Sequence, residues 1–383
     1  MAQKHFRIET KNNILLLSTD NENALVSDYF GKRIADIGEY PAISTLDKFK
    51  PGSDDLYNKR EAYIPSGSTN LLEPALSVTH ADGNKSTVLV FEKIQEQQLD
   101  ANRKLTIITL KDPKYNFQVN LNYLSYFEED VVEQWAEISH REKGAVTLNK
   151  YASANLTLTG RKFFLKNQHS SAMREMRSEE QELLHGIRTL DSKLGTRTNL
   201  LHSSSFMVSV NGPSSEETGE VIAGSLEWSG NFKLDFETFD DYFLRITAGI
   251  NNFSSNYTLK PSERFITPRF VYTYSQQGKG LASRNLHNWA RKYQLADGKG
   301  DRSTLLNNWE TTYFDFNDQK LKELVQDTKK LGVDVFLLDD GWFGNKYPRN
   351  GANAGLGDWD FNKQKLKSGI AGIGKEATAQ GIK

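Results

Sequence analysis

Two adjacent carboxylates, Asp339 and Asp340, close the apolar run Val335-Phe336-Leu337-Leu338 and are followed by Gly341-Trp342-Phe343-Gly344. Carboxylate oxygens accept charge-assisted hydrogen bonds, so an adjacent pair suits a polyol whose neighbouring hydroxyls donate to it. Successive strand residues point to opposite faces, so both carboxylates reach one ligand only where the strand ends at or just after the first. Gly341 supplies the backbone freedom for such a bend. Trp342 and Phe343 would form an apolar wall for the less polar face of a sugar ring. Trp309 stands just ahead of an expected strand, where a lone aromatic fits packing as well as ligand contact. Two other chemistries fit the Asp pair. One is capping of a loop or following helix; the other is a Mg²⁺ site, which lacks an accompanying phosphate-binding glycine loop.

The elements that must position these residues form a β-α alternation. Thr311–Phe316 reads as an apolar strand and Asn317 or Asp318 as a helix cap. Leu321, Leu324, Val325, Thr328 and Leu331 recur at helical spacing, and Gly332 follows as a C′ glycine. Val333–Leu338 is a nearly continuous apolar run, as in a strand buried on both faces of a parallel sheet. Ser368 opens a second helix using Ile370, Ile373 and Ala377; Gly381 closes it, and Ile382-Lys383 begins a third strand. In a (β/α)8 TIM barrel, residues at the C-terminal strand ends line the active site. That fold needs eight units and about 250 residues. Residues 301–383 hold two, so the chain is expected to be a fragment of a longer protein.

Upstream, the text reads as β structure to about residue 275. His5–Thr10 and Ile14–Ser18 form a hairpin pair; Thr87–Ile94, Lys104–Leu110, Tyr115–Leu124, Val131–Ser139 and Val146–Leu158 follow. A second series covers Phe206–Val210, Glu220–Trp228, Phe232–Phe236, Tyr242–Gly249 and Arg269–Tyr274. So many short strands without helices predict a large antiparallel β-sandwich. Asp47–Arg60 reads as a polar excursion from a sheet edge, and the charged stretch Arg174–Leu184 as a short helix or solvated loop. Leu281, Leu286, Trp289 and Tyr293 mark a connecting helix. The expected domains are a sandwich over 1–280, a linker helix over 281–300 and the start of a barrel over 301–383.

Composition narrows the classes. Forty-eight Lys plus Arg balance 49 Asp plus Glu, and no basic stripe points to nucleic acid or an anionic membrane. The absence of cysteine excludes disulfides and thiolate chemistry and suits a cytoplasmic location. Ile14–Leu17, the longest early apolar run, is far too short for a signal-peptide core or membrane span. The 7 His include no ligand-like i, i+4 pair, so no metal or organic cofactor is expected.

Three segments together resemble the catalytic barrel of family 36 glycoside hydrolases, the microbial α-galactosidases. They are Asn307 to Phe316, Phe336 to Gly344, and Leu356-Gly357-Asp358-Trp359. Ser229-Gly230-Asn231-Phe232, Pro268 through Tyr274 to His287, and Glu73-Pro74-Ala75-Leu76 with Asp82-Gly83 are similar to the family's sandwich and linker. The resemblance implies a large N-terminal supersandwich before the barrel, and retaining hydrolysis of terminal α-galactose from oligosaccharides of the melibiose and raffinose type. It implies a homo-oligomer, a tetramer in many members. It assigns Asp339 and Asp340 to the galactose hydroxyls at C4 and C6, and Trp309 to the sugar pocket. The family's nucleophile, in a Lys-Trp-Asp motif, and its acid/base Asp have no counterpart in these residues, so no catalytic residue is assigned. Two departures stand out. Thr69-Asn70-Leu71-Leu72 replaces a Gly-Asp-Phe-Arg stretch that in many members reaches a neighbouring subunit, and Lys162-Phe163-Phe164 stands where a Trp is common. Competing readings are a galactosyltransferase of the raffinose-synthase kind and, for these 383 residues alone, a non-catalytic sugar-binding or assembly chain.

Overall fold

The structure, a computed structural model, describes residues 3–34, 38, 40, 43, 60–70, 72–197, 200–239 and 243–383. Residues 47–59 of the expected polar excursion lie outside the described residues. The chain forms two compact units, Met1–Gly298 and Lys299–Lys383.

The first unit is antiparallel throughout its named strands. Its ten-stranded sheet runs in the order Arg174–Glu182, Phe163–Ser171, His202–Val210, Glu220–Leu226, Phe270–Ser275, Val131–His140, Phe117–Tyr126, Arg103–Lys111 and Val90–Gln98. Arg264–Ile266 adds to it alongside Val131–His140. A six-stranded sheet orders Gly186–Asp191, Phe232–Phe239, Phe243–Ile250, Val146–Thr159 and Tyr257–Leu259, with Leu76–Thr79 also on Val146–Thr159. Alternation explains the packing. Phe232, Leu234 and Phe236 are fully buried on one face, and Phe236 meets Phe206 of the larger sheet edge-on at 5.0 Å. The other face of the same strand carries Asp235 and Glu237, both buried. They lie among Lys150, Lys233 and the fully buried Arg245, so charge pairing replaces apolar packing there. A three-stranded sheet, His5–Glu9, Asn13–Thr19 and Leu25–Lys32, joins the same core through Phe30 against Tyr272 at 5.2 Å.

Arg174–Glu182 is a strand, not the helix or loop its charges predict. It pairs with Phe163–Ser171 from Phe164↔Glu182 to Ser171↔Arg174 and forms the edge of the sheet. Nearly all of its residues are exposed, so no apolar alternation marks it; backbone pairing in a hairpin holds it. The helix read from Leu281 starts at Gly278, ends at Trp289 and continues as a π-helical turn, Ala290–Gln294. Trp289 is buried with Tyr126, Val131, Trp135 and Val271 of the sandwich.

In the second unit two parallel strands, Leu305–Asn307 and Val335–Leu337, pair in register from Leu305↔Val335 to Asn307↔Leu337. The first strand therefore precedes Trp309, whereas Thr311–Phe316 had the apolar content of a strand. The difference is local: Asn308 turns the chain by accepting the Thr312 N–H at 3.0 Å on its carbonyl, and Trp309–Thr312 is one helical turn. The helix Asp318–Lys330 is capped by Asn317, whose side chain accepts the Lys320 N–H at 3.0 Å, and Gly332 follows at φ 73°. The second helix is Gly369–Gln380. Leu321, Val325 and Ile373 of the helices pack with Phe316, Leu366 and the strand residue Phe336. Val335–Leu337 is not buried on both faces: Leu305 and Leu337, on the side away from that cluster, are 53% and 40% exposed. Lys383 donates to the Asp334 carbonyl and accepts from Phe336 N, both at 3.0 Å, so the expected third-strand residues lie alongside the second.

Candidate functional site

Strand parity aims the site. Phe336 and Leu338 turn toward the helical cluster, so Leu337 and Asp339 belong to the opposite side, where Asn307 is the register partner of Leu337. The strand ends at Leu337, and Gly341 at φ 93° bends the chain just beyond the Asp pair. The strand thus stops two residues before Asp339, earlier than the sequence led one to expect, and the Asp pair stands on the turn that follows it.

The first strand end holds Asp339. Asn307 donates its side-chain amide to Asp339 Oδ2 at 2.6 Å and accepts the Trp309 backbone N–H at 2.8 Å. Asn308, fully buried, accepts the Asp339 backbone N–H at 2.7 Å and donates its own N–H to the Leu337 carbonyl at 3.2 Å. Asp339 Oδ1 in turn accepts the Asp340 backbone N–H at 2.6 Å.

Asp340 is held from the other side. Arg349 Nε donates to both carboxylate oxygens at 2.9 and 3.1 Å, and Nη2 donates to Oδ2 at 2.7 Å. Gly341 N adds a bond to Oδ1 at 2.7 Å. The Arg349 hydrogen bonds hold the Asp340 carboxyl below the usual carboxylate range. Lys365 lies nearby, donating to the Phe314 and Gly341 carbonyls at 2.7 and 3.1 Å. Burial lowers its pKa, against the opposing pull of Asp315 and Asp340.

An ionised carboxylate offers about four acceptor positions. The contacts above number two on Asp339 and four on Asp340, where one Arg349 N–H is shared between both oxygens, which leaves about two positions open on Asp339 and at most about one on Asp340. Such a remainder accepts from vicinal hydroxyls. A hard cation would need the edge of Asp340 that Arg349 already takes, and among the described residues no group of three or more His, Asp or Glu could hold a metal ion. No helix begins after the pair until Gly369, so neither Asp is a helix cap.

Trp309, Asp339 and Asp340 come together through Asn307 and Asn308. Trp309 is half-buried, edge-on to Tyr313 and Phe314 at 5.3 and 4.9 Å. Trp342 packs against the cluster of Phe316, Leu321 and Leu366 and stands 5.1 Å from Phe343 and 6.4 Å from Trp359. Trp359 is 65% exposed and lies 4.7 Å from Phe343. In the sequence Asn307 and Asn308 stand out only as part of a motif, and Arg349 does not stand out at all, because asparagine and arginine near loops carry no positional signal. Asn70 and Leu72 are buried in their own unit, with Asn70 Oδ1 accepting the Leu72 N–H at 3.2 Å.

Residues 23–260 match the family profile described as the glycosyl hydrolase family 36 N-terminal domain, and residues 264–383 match Melibiase. Alpha-galactosidase Mel36A of Lactobacillus acidophilus is 29% identical over 99% of this chain and 54% of its own length. The crystal structure of the GH36 alpha-galactosidase AgaA from Geobacillus stearothermophilus superposes with a TM-score of 0.86 at 26% identity, covering 99% of this chain and 55% of that one. A variant of that enzyme has been crystallised in complex with raffinose. The chain thus spans about half the length of the relatives it matches. It pairs the family's N-terminal β domain with the start of its barrel domain, and it belongs to glycoside hydrolase family 36.

Proposed function

We propose that the chain is the N-terminal portion of an α-galactosidase, and that Asp339 and Asp340 hold hydroxyls of the terminal galactose. The observation that carries this reading is the anchored Asp pair at the ends of two parallel strands, with about two acceptor positions open on Asp339. Trp309, fixed to the same Asn307 side chain, borders the sugar. Retaining hydrolysis needs two carboxylates about 5 to 5.5 Å apart, one as nucleophile and one as acid then base. Asp339 and Asp340 are each tied by two or more donors, and Asp340 by a guanidinium, so binding is the role their geometry supports. The nucleophile and the acid/base are proposed to come from the rest of the barrel. The relatives' alpha-galactosidase names and the raffinose complex of one of them support the substrate class.

The test is release of nitrophenol from nitrophenyl α-galactoside by the full-length protein. Asp340→Asn is expected to lower kcat/KM at least about 100-fold, because a neutral amide accepts more weakly and presents a donor to Arg349. Full activity in that variant would remove Asp340 from the site.

A further inference from the structure

Arg349 is 7% exposed, and every nitrogen of its guanidinium is committed. Nε and Nη2 take the carboxylate of Asp340, and Nη1 donates to the carbonyls of Gly351, Ala352 and Ala354 at 2.8, 2.7 and 2.9 Å. Its plane lies 5.5 Å from the Phe314 ring centroid. The loop around it is closely wound. At Gly344 and Gly355, both at positive φ, an added Cβ would meet the Tyr347 carbonyl at 2.5 and 2.7 Å. The same loop presents Tyr347, Leu356 and Trp359, each more than 60% exposed.

An ion pair kept only for folding needs one geometry. This guanidinium instead joins two structures: the rotamer of Asp340, and a loop whose three carbonyls converge on one nitrogen. We propose that Arg349 is a positioning residue, fixing Asp340 for the sugar hydroxyl and coupling that carboxylate to the loop of residues 345–359. Sugar affinity then depends on the order of a loop that makes none of the carboxylate contacts itself. The inference rests on the reading of Asp340 as a sugar-binding residue. The planar fork is what the role requires, since one ammonium cannot span a carboxylate and three carbonyls.

The experiment compares Arg349→Gln and Arg349→Lys with the parent in the full-length protein, using nitrophenyl α-galactoside across pH and a thermal melt of each variant. Arg349→Gln is expected to raise KM about tenfold or more. It is also expected to move the acid limb of kcat/KM to higher pH, because Asp340 loses the donors that keep it ionised. Arg349→Lys should return the acid limb toward that of the parent while KM stays raised, which a purely structural role would not produce. If the glutamine variant fails to fold, the lysine variant carries the KM test. Turnover in the parent together with unchanged KM in the variants that fold overturns the positioning role alone. No turnover in the parent overturns the galactoside reading and this inference with it.

Discussion

Asn307 and Asp339 are joined across two strand ends by a 2.6 Å hydrogen bond from amide to carboxylate. The residues stand two positions apart in the strand register, Asn307 facing Leu337. Parity puts both on the side of the sheet away from the helices. Because the Asn307 side-chain Oδ1 also accepts the Trp309 N–H, one side chain orients a carboxylate from the second strand and starts the turn carrying an aromatic from the first.

Replacing Asn307 by alanine removes both bonds. A charge-assisted hydrogen bond contributes about 1.5–3 kcal/mol, and part of that is retained where water replaces the amide at this half-buried position. Asn307→Ala is expected to lower kcat/KM for nitrophenyl α-galactoside about tenfold to 100-fold in the full-length protein, with the thermal midpoint within a few degrees of the parent. Unchanged kinetics would mean that Asp339 is oriented by its backbone alone.

A pH effect on stability is expected from the sandwich. Burial, and then the nearby Glu133 carboxylate, raise the Glu227 carboxyl to about 7, with Arg269 opposing. Glu133 is fully buried, and Arg269 and Tyr126 donate to it. A carboxyl whose folded pKa exceeds its unfolded value favours folding while protonated. Its contribution is complete below about 4.5 and is lost as pH rises to about 7. Glu227→Gln is therefore expected to melt about 2 °C or more above the parent at pH 8 and together with it at pH 4. A difference independent of pH would sink the assignment.

Legibility in the sequence followed exposure. Phe232–Phe239 alternates apolar with polar residues because one of its faces lines a core, and Val131–His140, buried at nearly every position, is marked as a strand by its β-branched and apolar content. Arg174–Glu182 has solvent around nearly all of its side chains, so its charges carried no period; only the hairpin with Phe163–Ser171 makes it a strand. Leu25–Lys32 is broken by Asp28 and Gly31 and went unread, although Phe30 packs on Tyr272. In the site, the types of Asp339, Asp340 and Trp309 were readable, but the position of Trp309 was not. The short run Leu305–Asn307 gains its strand state from pairing with Val335–Leu337, a contact about 30 residues away that no local pattern encodes. Arg349 was invisible for the same reason, since its meaning lies in the carboxylate it reaches.

Gly341 links backbone geometry to the site most directly. It sits at φ 93°, its N–H anchors Asp340 Oδ1 at 2.7 Å, and its carbonyl accepts Lys365. A Cβ there would meet Phe314 at 3.0 Å and Phe316 at 3.3 Å. Alanine thus incurs both left-handed strain, about 1–3 kcal/mol, and a steric push on two rings, one of which lies beneath Arg349. The relief open to the chain is to rotate the peptide, and that withdraws the N–H from Asp340. Gly341→Ala is expected to lower the thermal midpoint and kcat/KM together, the latter about tenfold or more. The check is a melt and a kinetic assay on the same preparation of the full-length protein. A stable variant with unchanged kcat/KM would show that Asp340 keeps its orientation without the bend.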